Sequence, residues 1–469
     1  MICLRHCARS QKGAREVRAM LRVLHILLPL LLLAASACKS WGKFWQTEIV
    51  YPSNPLMVTQ NVAMSPVTPS MPGAAQSCSV SPALPEGLSL ASDCTISGTP
   101  TAGQPATTYQ IAADIGSGTV SGTVTIRVLF QPRFLYSANS IINNNLLAFT
   151  INSDGSLTSS ATYTSGTNPR FVLVHPHGKF LYVANHGSND VSTYQINAST
   201  GALTPVGATV SASLNPYSLA SDPQGKFLFV GHEGTNTVAA YTIEKSTGIL
   251  TAVLGSPFSA GTTLVSVHVD PTGNFLYVGD AANVTNARVF RINQVTGALS
   301  EISGSPFLAI NDALSVHVHP SGKFVYYISY FGQNVVAFQR DAVSGALSQL
   351  SGSPFAAGAG PAHVVADLPG RFLYVANSGD ATGTVGVSGF SIDSASGSLT
   401  PISGSPFASP QNPIGLALAE TGGFAYACGT GNEQITAYNV NQTTGALGII
   451  GSVTAGTDPF KVAIAGSNP

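Results

Sequence analysis

From residue 133 onward, short apolar runs such as Phe180-Leu181-Tyr182-Val183-Ala184 are followed by segments of strict apolar–polar alternation such as Val191 to Ile196. Clusters of Gly, Pro, Asn and Asp separate them. Runs of this length, rich in β-branched and aromatic residues and bounded by turn formers, predict strands. One unit reads as four of them. An apolar strand at Phe171 to Val174 passes through His175-Pro176-His177-Gly178 into a second at Phe180 to Ala184. A third follows at Val191 to Ile196, and Thr200-Gly201-Ala202-Leu203 turns into a last, more polar strand.

The second strand recurs. Gly178 to Asn185 (GKFLYVAN) has copies at Arg133 to Asn139, Gly225 to His232, Gly273 to Asp280, Gly322 to Ser329, Gly370 to Asn377 and Gly422 to Cys428. The phenylalanines of the seven copies, Phe134, Phe180, Phe227, Phe275, Phe324, Phe372 and Phe424, are spaced by 46, 47, 48, 49, 48 and 52 residues. The tight turn recurs with it, as SDGSL at 153, TGIL at 247, TGAL at 296, SGAL at 344, SGSL at 396 and TGAL at 444. Its glycine supplies the positive φ that a hairpin needs. A four-stranded unit repeated seven times predicts a β-propeller, because one blade cannot bury both faces alone and a ring of blades can. The array begins at Arg133 without an innermost strand and ends at Asp458 to Ala465, which reads as the missing one. Closure by the C-terminal strand removes the open edges.

Ahead of the repeats, residues 49–130 form a separate unit of alternating strands, among them Thr108 to Ala112 and Thr119 to Val128. Before that, residues 23 to 37 are an uncharged apolar run behind a basic stretch. Fifteen residues fall short of the ~20 that span a bilayer. The segment 1–37 therefore reads as an export signal, with Met20 as an alternative true start.

Composition fits this picture: 9% charged residues, 48 Gly and 29 Pro suit short strands joined by tight turns. The first 37 residues carry Arg5, Arg9, Lys12, Arg15, Arg18 and Arg22 against Glu16, so the remainder has a formal net charge of −6. That balance excludes a protein that tracks a phosphate backbone, and no nucleic-acid partner is expected. No P-loop, HExxH, GxSxG or CxxC is present. No cofactor is expected.

Three resemblances add to this reading. Ala35-Ser36-Ala37-Cys38 resembles the bacterial lipobox, with Ala35 where that pattern usually has Leu. It implies lipidation of Cys38, a linker at 38–48 and a membrane-anchored lipoprotein of the cell envelope, periplasmic or surface-exposed. Simple cleavage after Ala37 and an uncleaved anchor are the alternatives. Leu84-Pro85-Glu86-Gly87-Leu88 and Ile96-Ser97-Gly98-Thr99-Pro100 resemble the Ig-like domains of bacterial surface proteins, which implies a small β-sandwich over 49–130. Cys78 and Cys94 within it are candidates for a disulfide across adjacent strands, against the alternative of two buried thiols.

The GKFLYVAN segments, the TGAL hairpins and Gly-Ser-Pro-Phe at 255, 304, 352 and 404 resemble the seven-bladed β-propeller lactonase family and the YVTN repeats of surface-layer propellers, over residues 131–469. The likeness implies fold directly and chemistry less so, since strand and turn motifs are shared with non-enzymes. The mouth of the propeller is expected to collect Arg170, Ser218, Ser266, Ser315, His363 and Lys461 from first strands. Asn185, His186, His232, Glu233, Asp280, Asn377 and Asp380 are expected there from the ends of second strands and the loops after them. For a lactonase, His363 or Glu233 is the candidate base that activates water, and Arg170 with Lys461 the cationic clamp on an oxyanion or a phosphate. Asn168-Pro169-Arg170 and Gly360-Pro361-Ala362-His363 resemble the inner-strand starts that carry such residues in the enzymes. His175, His177 and His319 read as turn residues rather than metal ligands, and His268 with His317 as packing.

The function expected first is therefore a binding surface for a ligand or a macromolecular envelope partner. Lactone hydrolysis is the alternative from another class, and a structural surface-layer role the third.

Overall fold

A computed structural model describes residues 47–140, 144–261, 263–281, 287–307, 312–379 and 385–466. The export signal and Cys38 lie outside these. No helix occurs among the described residues. Seven antiparallel sheets form a ring of blades. Their innermost strands are Pro169–Val174, Pro216–Ser221, Leu264–Val269, Ala313–Val318, Pro361–Ala366, Pro413–Leu418 and Pro459–Gly466. The last of these pairs antiparallel with Pro132–Asn139, Val462 opposite Ser137, so the C-terminal strand completes the blade that the N-terminal end of the array begins.

The two repeated motifs occur together because they meet across neighbouring blades. A side chain built on the hairpin glycine Gly201 would sit 2.4 Å from the ring of Phe134, and Gly248, Gly297, Gly345, Gly397, Gly445 and Gly155 stand in the same relation to Phe180, Phe227, Phe275, Phe324, Phe372 and Phe424. All seven glycines also have positive φ, so both the turn and the neighbour demand them. Two residues after each phenylalanine, a buried tyrosine hydroxyl donates to the carbonyl of the same glycine: Tyr136 to Gly201, Tyr182 to Gly248, Tyr277 to Gly345, Tyr326 to Gly397, Tyr374 to Gly445 and Tyr426 to Gly155. Phe229 holds that position in the remaining blade and has no hydroxyl to give. The fixed period is thus the spacing of a contact between blades.

The turns at the far rim work as the sequence implies. Asp222 accepts from the amides of Lys226 and Phe227 at 2.6 Å each. His175 takes the same corner, its Nδ1 accepting from the His177 amide and its Nε2 donating to the Gly225 carbonyl.

Residues 47–129 fold as a two-sheet sandwich. One sheet holds Leu56–Thr59, Thr119–Leu129, Gln104–Asp114 and Ser77–Ser81, the other Met64–Val67, Ile96–Gly98 and Leu88–Leu90, around a core that includes Ile111, Val124 and Ile126. Cys78 and Cys94 form a disulfide. Its geometry differs from the expected link between adjacent strands, because Cys94 sits at φ 65° in the turn before Ile96. The bridge therefore ties one sheet to the other. At the junction with the propeller, Glu420 on the far rim receives Arg127 at 2.5 Å and the Phe130 amide at 3.1 Å.

Candidate functional site

Every innermost strand carries the same irregularity near its start. The register with the second strand slips between the first residue and the third: Pro169/Phe171, Pro216/Ser218, Leu264/Ser266, Ala313/Ser315, Pro361/His363, Pro413/Gly415 and Pro459/Lys461. Bulges re-aim side chains. Here the fourth residue is buried between blades in every case: Val172, Leu219, Val267, Val316, Val364, Leu416 and Val462. A central cavity of about 410 Å³ is lined from these strands, mainly by residues at the second, third and fifth positions, with the fourth-position Leu219, Val267, Val316 and Val364 also reaching its wall.

The third position forms a belt around this cavity. It holds Ser218, Ser266, Ser315, His363 and Lys461, with Phe171 and no side chain at Gly415 completing the seven. An innermost strand is an edge, and some of its amides need partners from outside their own sheet. Four blades in succession supply them from this belt. Val267 donates to Ser218 Oγ, Val316 to Ser266 Oγ, Val364 to Ser315 Oγ and Leu416 to His363 Nδ1, at 3.1, 3.0, 3.4 and 3.0 Å. A backbone N–H can only donate, so Nδ1 of His363 is the unprotonated nitrogen and the proton of the neutral ring sits on Nε2. Burial, with Lys461 nearby, holds the ring well below the ordinary histidine range. His363 is thus a hydrogen-bond donor to the cavity, which corrects its expected role as the base.

Lys461 is 7% exposed and forms no ion pair among the described residues. Its Nζ donates to the Ile414 carbonyl at 3.0 Å and lies 5.8 Å from the centre of the Phe171 ring. Burial pulls its ammonium down to about 7. Deeper in the cavity, His268 and His317 meet edge to face with ring centres 4.6 Å apart. They line the lumen and pack on each other there, from equivalent positions of neighbouring blades. Burial lowers His268 to about 4 and His317 well below its ordinary value, so both are neutral near pH 7.

A second cluster stands at the lip. The guanidinium of Arg170 lies over the Phe460 ring at 4.3 Å, Phe460 meets Tyr217 edge-on at 5.8 Å, and Tyr217 meets His186 at 6.2 Å. His186 Nε2 is 3.1 Å from Glu233 Oε2 on the next blade. That hydrogen bond, with the charges of His186 and Arg170 adding to it, holds Glu233 below the usual carboxylate range. An ionised carboxylate only accepts, so the pairing places a proton on Nε2, and in the neutral ring Nδ1 of His186 is then the lone pair. Glu233, the other candidate base, is thus engaged as the ionised acceptor of the His186 ring. Arg170 forms no ion pair among the described residues, and its Nε is buried without a hydrogen-bond partner. Burial pushes the Tyr217 phenol up to about 12, so it remains a donor.

The other expected mouth residues are placed elsewhere. Asn185, His232, Asp280 and Asn377 end their second strands at 0, 0, 3 and 0% exposure. Asn185 donates to Asp190 and Ser192, Asn377 to Gly386 and Ser388, and His232 through Nδ1 to the Thr237 carbonyl, so each ties its own hairpin. Asp280 accepts from the Thr263 amide. None lines the cavity. Asp380 lies outside the described residues. Tyr217 and Phe460 escaped the sequence reading, although their alignment beside Arg170 at the second position was available to it. Among the described residues, no group of three or more His, Cys, Asp or Glu is arranged to hold a metal ion.

Known proteins resemble the chain as follows. A family model described as "Lactonase, 7-bladed beta-propeller" matches residues 97–216, 172–267, 218–309, 249–359 and 315–464, and one described as "Putative Ig domain" matches 47–129. Among curated proteins none matches significantly. Of the solved structures, the periplasmic gluconolactonase of Pseudomonas aeruginosa is similar at 20% identity and TM-score 0.62, over 72% of this chain and 100% of that one. A "putative 6-phosphogluconolactonase" of Bacteroides fragilis is similar at 20% identity and TM-score 0.62, over 71% of this chain and 98% of that one. At such identities the likeness to the solved structures speaks for the fold.

Proposed function

The chain belongs to the seven-bladed β-propeller lactonase family, and on that premise we propose that it hydrolyses a cyclic ester at the lip of its central cavity. The observation that carries the reading is the pairing of His186 with Glu233 beside an Arg170 that forms no ion pair among the described residues and whose Nε is buried without a hydrogen-bond partner. In this reaction Nδ1 of His186 takes a proton from water as the oxygen attacks the acyl carbon. Glu233 steadies the imidazolium, as an orienting carboxylate does in catalytic triads. Arg170, with Tyr217 as a further donor, stabilises the tetrahedral oxyanion. Collapse breaks the ring C–O bond, the proton on His186 passes to the leaving alkoxide, and a hydroxy acid departs. Nothing in the site favours the presentation surface placed first from sequence alone.

We also propose that the protein is exported and lipid-anchored at Cys38. The signal-like run before Cys38 and a disulfide suited to an oxidising compartment support this. The periplasmic location named for the Pseudomonas protein points the same way.

The test is hydrolysis of 6-phosphogluconolactone and of neutral sugar lactones by the purified protein, with the spontaneous rate subtracted. The wild type is expected to turn over at least one of them, and His186→Gln to lower kcat by about 10²–10⁴-fold. A wild-type rate equal to buffer, or a His186→Gln rate equal to wild type, overturns the proposal.

A further inference from the structure

The hydroxyls of Ser218, Ser266 and Ser315 each already accept a backbone N–H from the next blade, and among the described residues none donates a hydrogen bond of its own. They are 2, 7 and 4% exposed, and all three line the cavity. At the same level His363 has its lone pair engaged and carries its proton on Nε2. Lys461 has given one of its three protons to Ile414. Five of the seven belt positions therefore turn hydrogen towards the lumen. In each hydroxyl the fold engages one lone pair and leaves the proton unspent, the only lone pair of the His363 ring is taken, and an ammonium has only protons to give. Among the described residues, no Asp or Glu lines the cavity.

We propose that this belt is a binding site for a single carboxylate, held by Lys461, His363 Nε2–H and the Ser218, Ser266 and Ser315 hydroxyls. Buried donor hydrogens without an acceptor are costly, and a single anion satisfies several of them at once. A bound anion favours the protonated form of Lys461, and one ammonium among neutral donors matches a monoanion, whereas a dianionic phosphate would leave a charge uncompensated in a wall of Val, Leu and Phe. The groups facing Lys461 are His363 and the Cys428 thiol, which burial pushes up to about 12, so neither contributes negative charge. As a substrate subsite, the belt points to sugar acids: a lactone that carries a free carboxylate, or the acid released by ring opening. That extension rests on the hydrolase reading; binding of the anion does not.

Calorimetry on the full chain at pH 7 separates the two. Gluconate is expected to bind, sorbitol, its uncharged counterpart, to bind at least tenfold more weakly, and inorganic phosphate to bind more weakly than gluconate. Lys461→Met and Ser266→Ala are each expected to weaken gluconate at least tenfold and threefold respectively. Should either variant fold poorly, the rise in the wild-type thermal midpoint with gluconate but not with sorbitol reads the same property. Equal binding of gluconate and sorbitol, tighter binding of phosphate, or unchanged gluconate affinity in a folded Lys461→Met overturns the site. His186→Gln is expected to keep gluconate binding while losing hydrolysis. Loss of both together would place the carboxylate at the lip and refute the belt.

Discussion

Two adjacent positions on the seven innermost strands have opposite histories of constraint. The fourth position reads Val172, Leu219, Val267, Val316, Val364, Leu416 and Val462, and every one is buried between blades. The third reads Phe171, Ser218, Ser266, Ser315, His363, Gly415 and Lys461, and all of these but Gly415 line the cavity. Each interface between blades poses the same packing problem and receives the same answer. The lumen is shared by all blades, so symmetry imposes nothing on it and each blade can bring a different group. Regularity in this chain records how the ring is held together, and departures from it mark the wall on which the proposed chemistry is placed.

The comparison can be broken at the sandwich, which shares neither position. The Cys78–Cys94 bridge closes a short loop between two sheets, and a loop of this length is worth about 3 kcal/mol. Cys78→Ala is expected to lower the unfolding transition of the sandwich by that amount and leave propeller unfolding and lactone hydrolysis unchanged. Calorimetric scans with an activity assay on the same samples check it. Equal loss in both transitions would mean that the two units unfold as one.

Lys461 sharpens the contrast, because it is a lumen residue kept at a cost to stability. Its native value of about 7 lies below the ~10.4 of an unfolded lysine. Between those values the unfolded chain holds the extra proton, so wild-type stability rises with pH across that window, and the penalty is full below pH 7. Lys461→Met is expected to be more stable by about 2 kcal/mol at pH 7, with the gain shrinking towards pH 10. Denaturant midpoints at pH 7 and 10 read this directly. A variant less stable than wild type at pH 7 would show that Lys461 serves the framework after all.

The smallest effect concerns the framework itself. Phe229 stands where the other blades use a tyrosine to reach the next hairpin, and Phe229→Tyr is expected to add one hydrogen bond to the Gly297 carbonyl, worth about 1 kcal/mol. A thermal midpoint that falls would mean that this blade packs too closely to admit the hydroxyl.

The fold was legible because its contacts are compulsory in sequence. A phenylalanine in one blade excludes any side chain at the hairpin glycine of the next, so both motifs recur at one period. The site was legible only in part. Arg170 and Lys461 stood out as cations at strand starts. The bulge between the first and third residues, invisible in the sequence, is what brings Tyr217 and Phe460 beside Arg170. His186 and Glu233 are 47 residues apart, and only the side-by-side placement of two blades makes them a pair. Asn185 and Asn377 looked like mouth residues because they end apolar strands, but a polar side chain at that point satisfies the hairpin beneath it.

The most direct test measures lactone hydrolysis and unfolding on two variants side by side: Arg170→Ala from the lip and Leu416→Ala from the layer between blades. The account predicts that Arg170→Ala loses about 10²–10³-fold in kcat/KM with an unchanged unfolding midpoint, and that Leu416→Ala loses about 3 kcal/mol of stability with kcat intact. Hydrolysis that survives in Arg170→Ala, or falls equally in both variants, would contradict the division between framework and lumen.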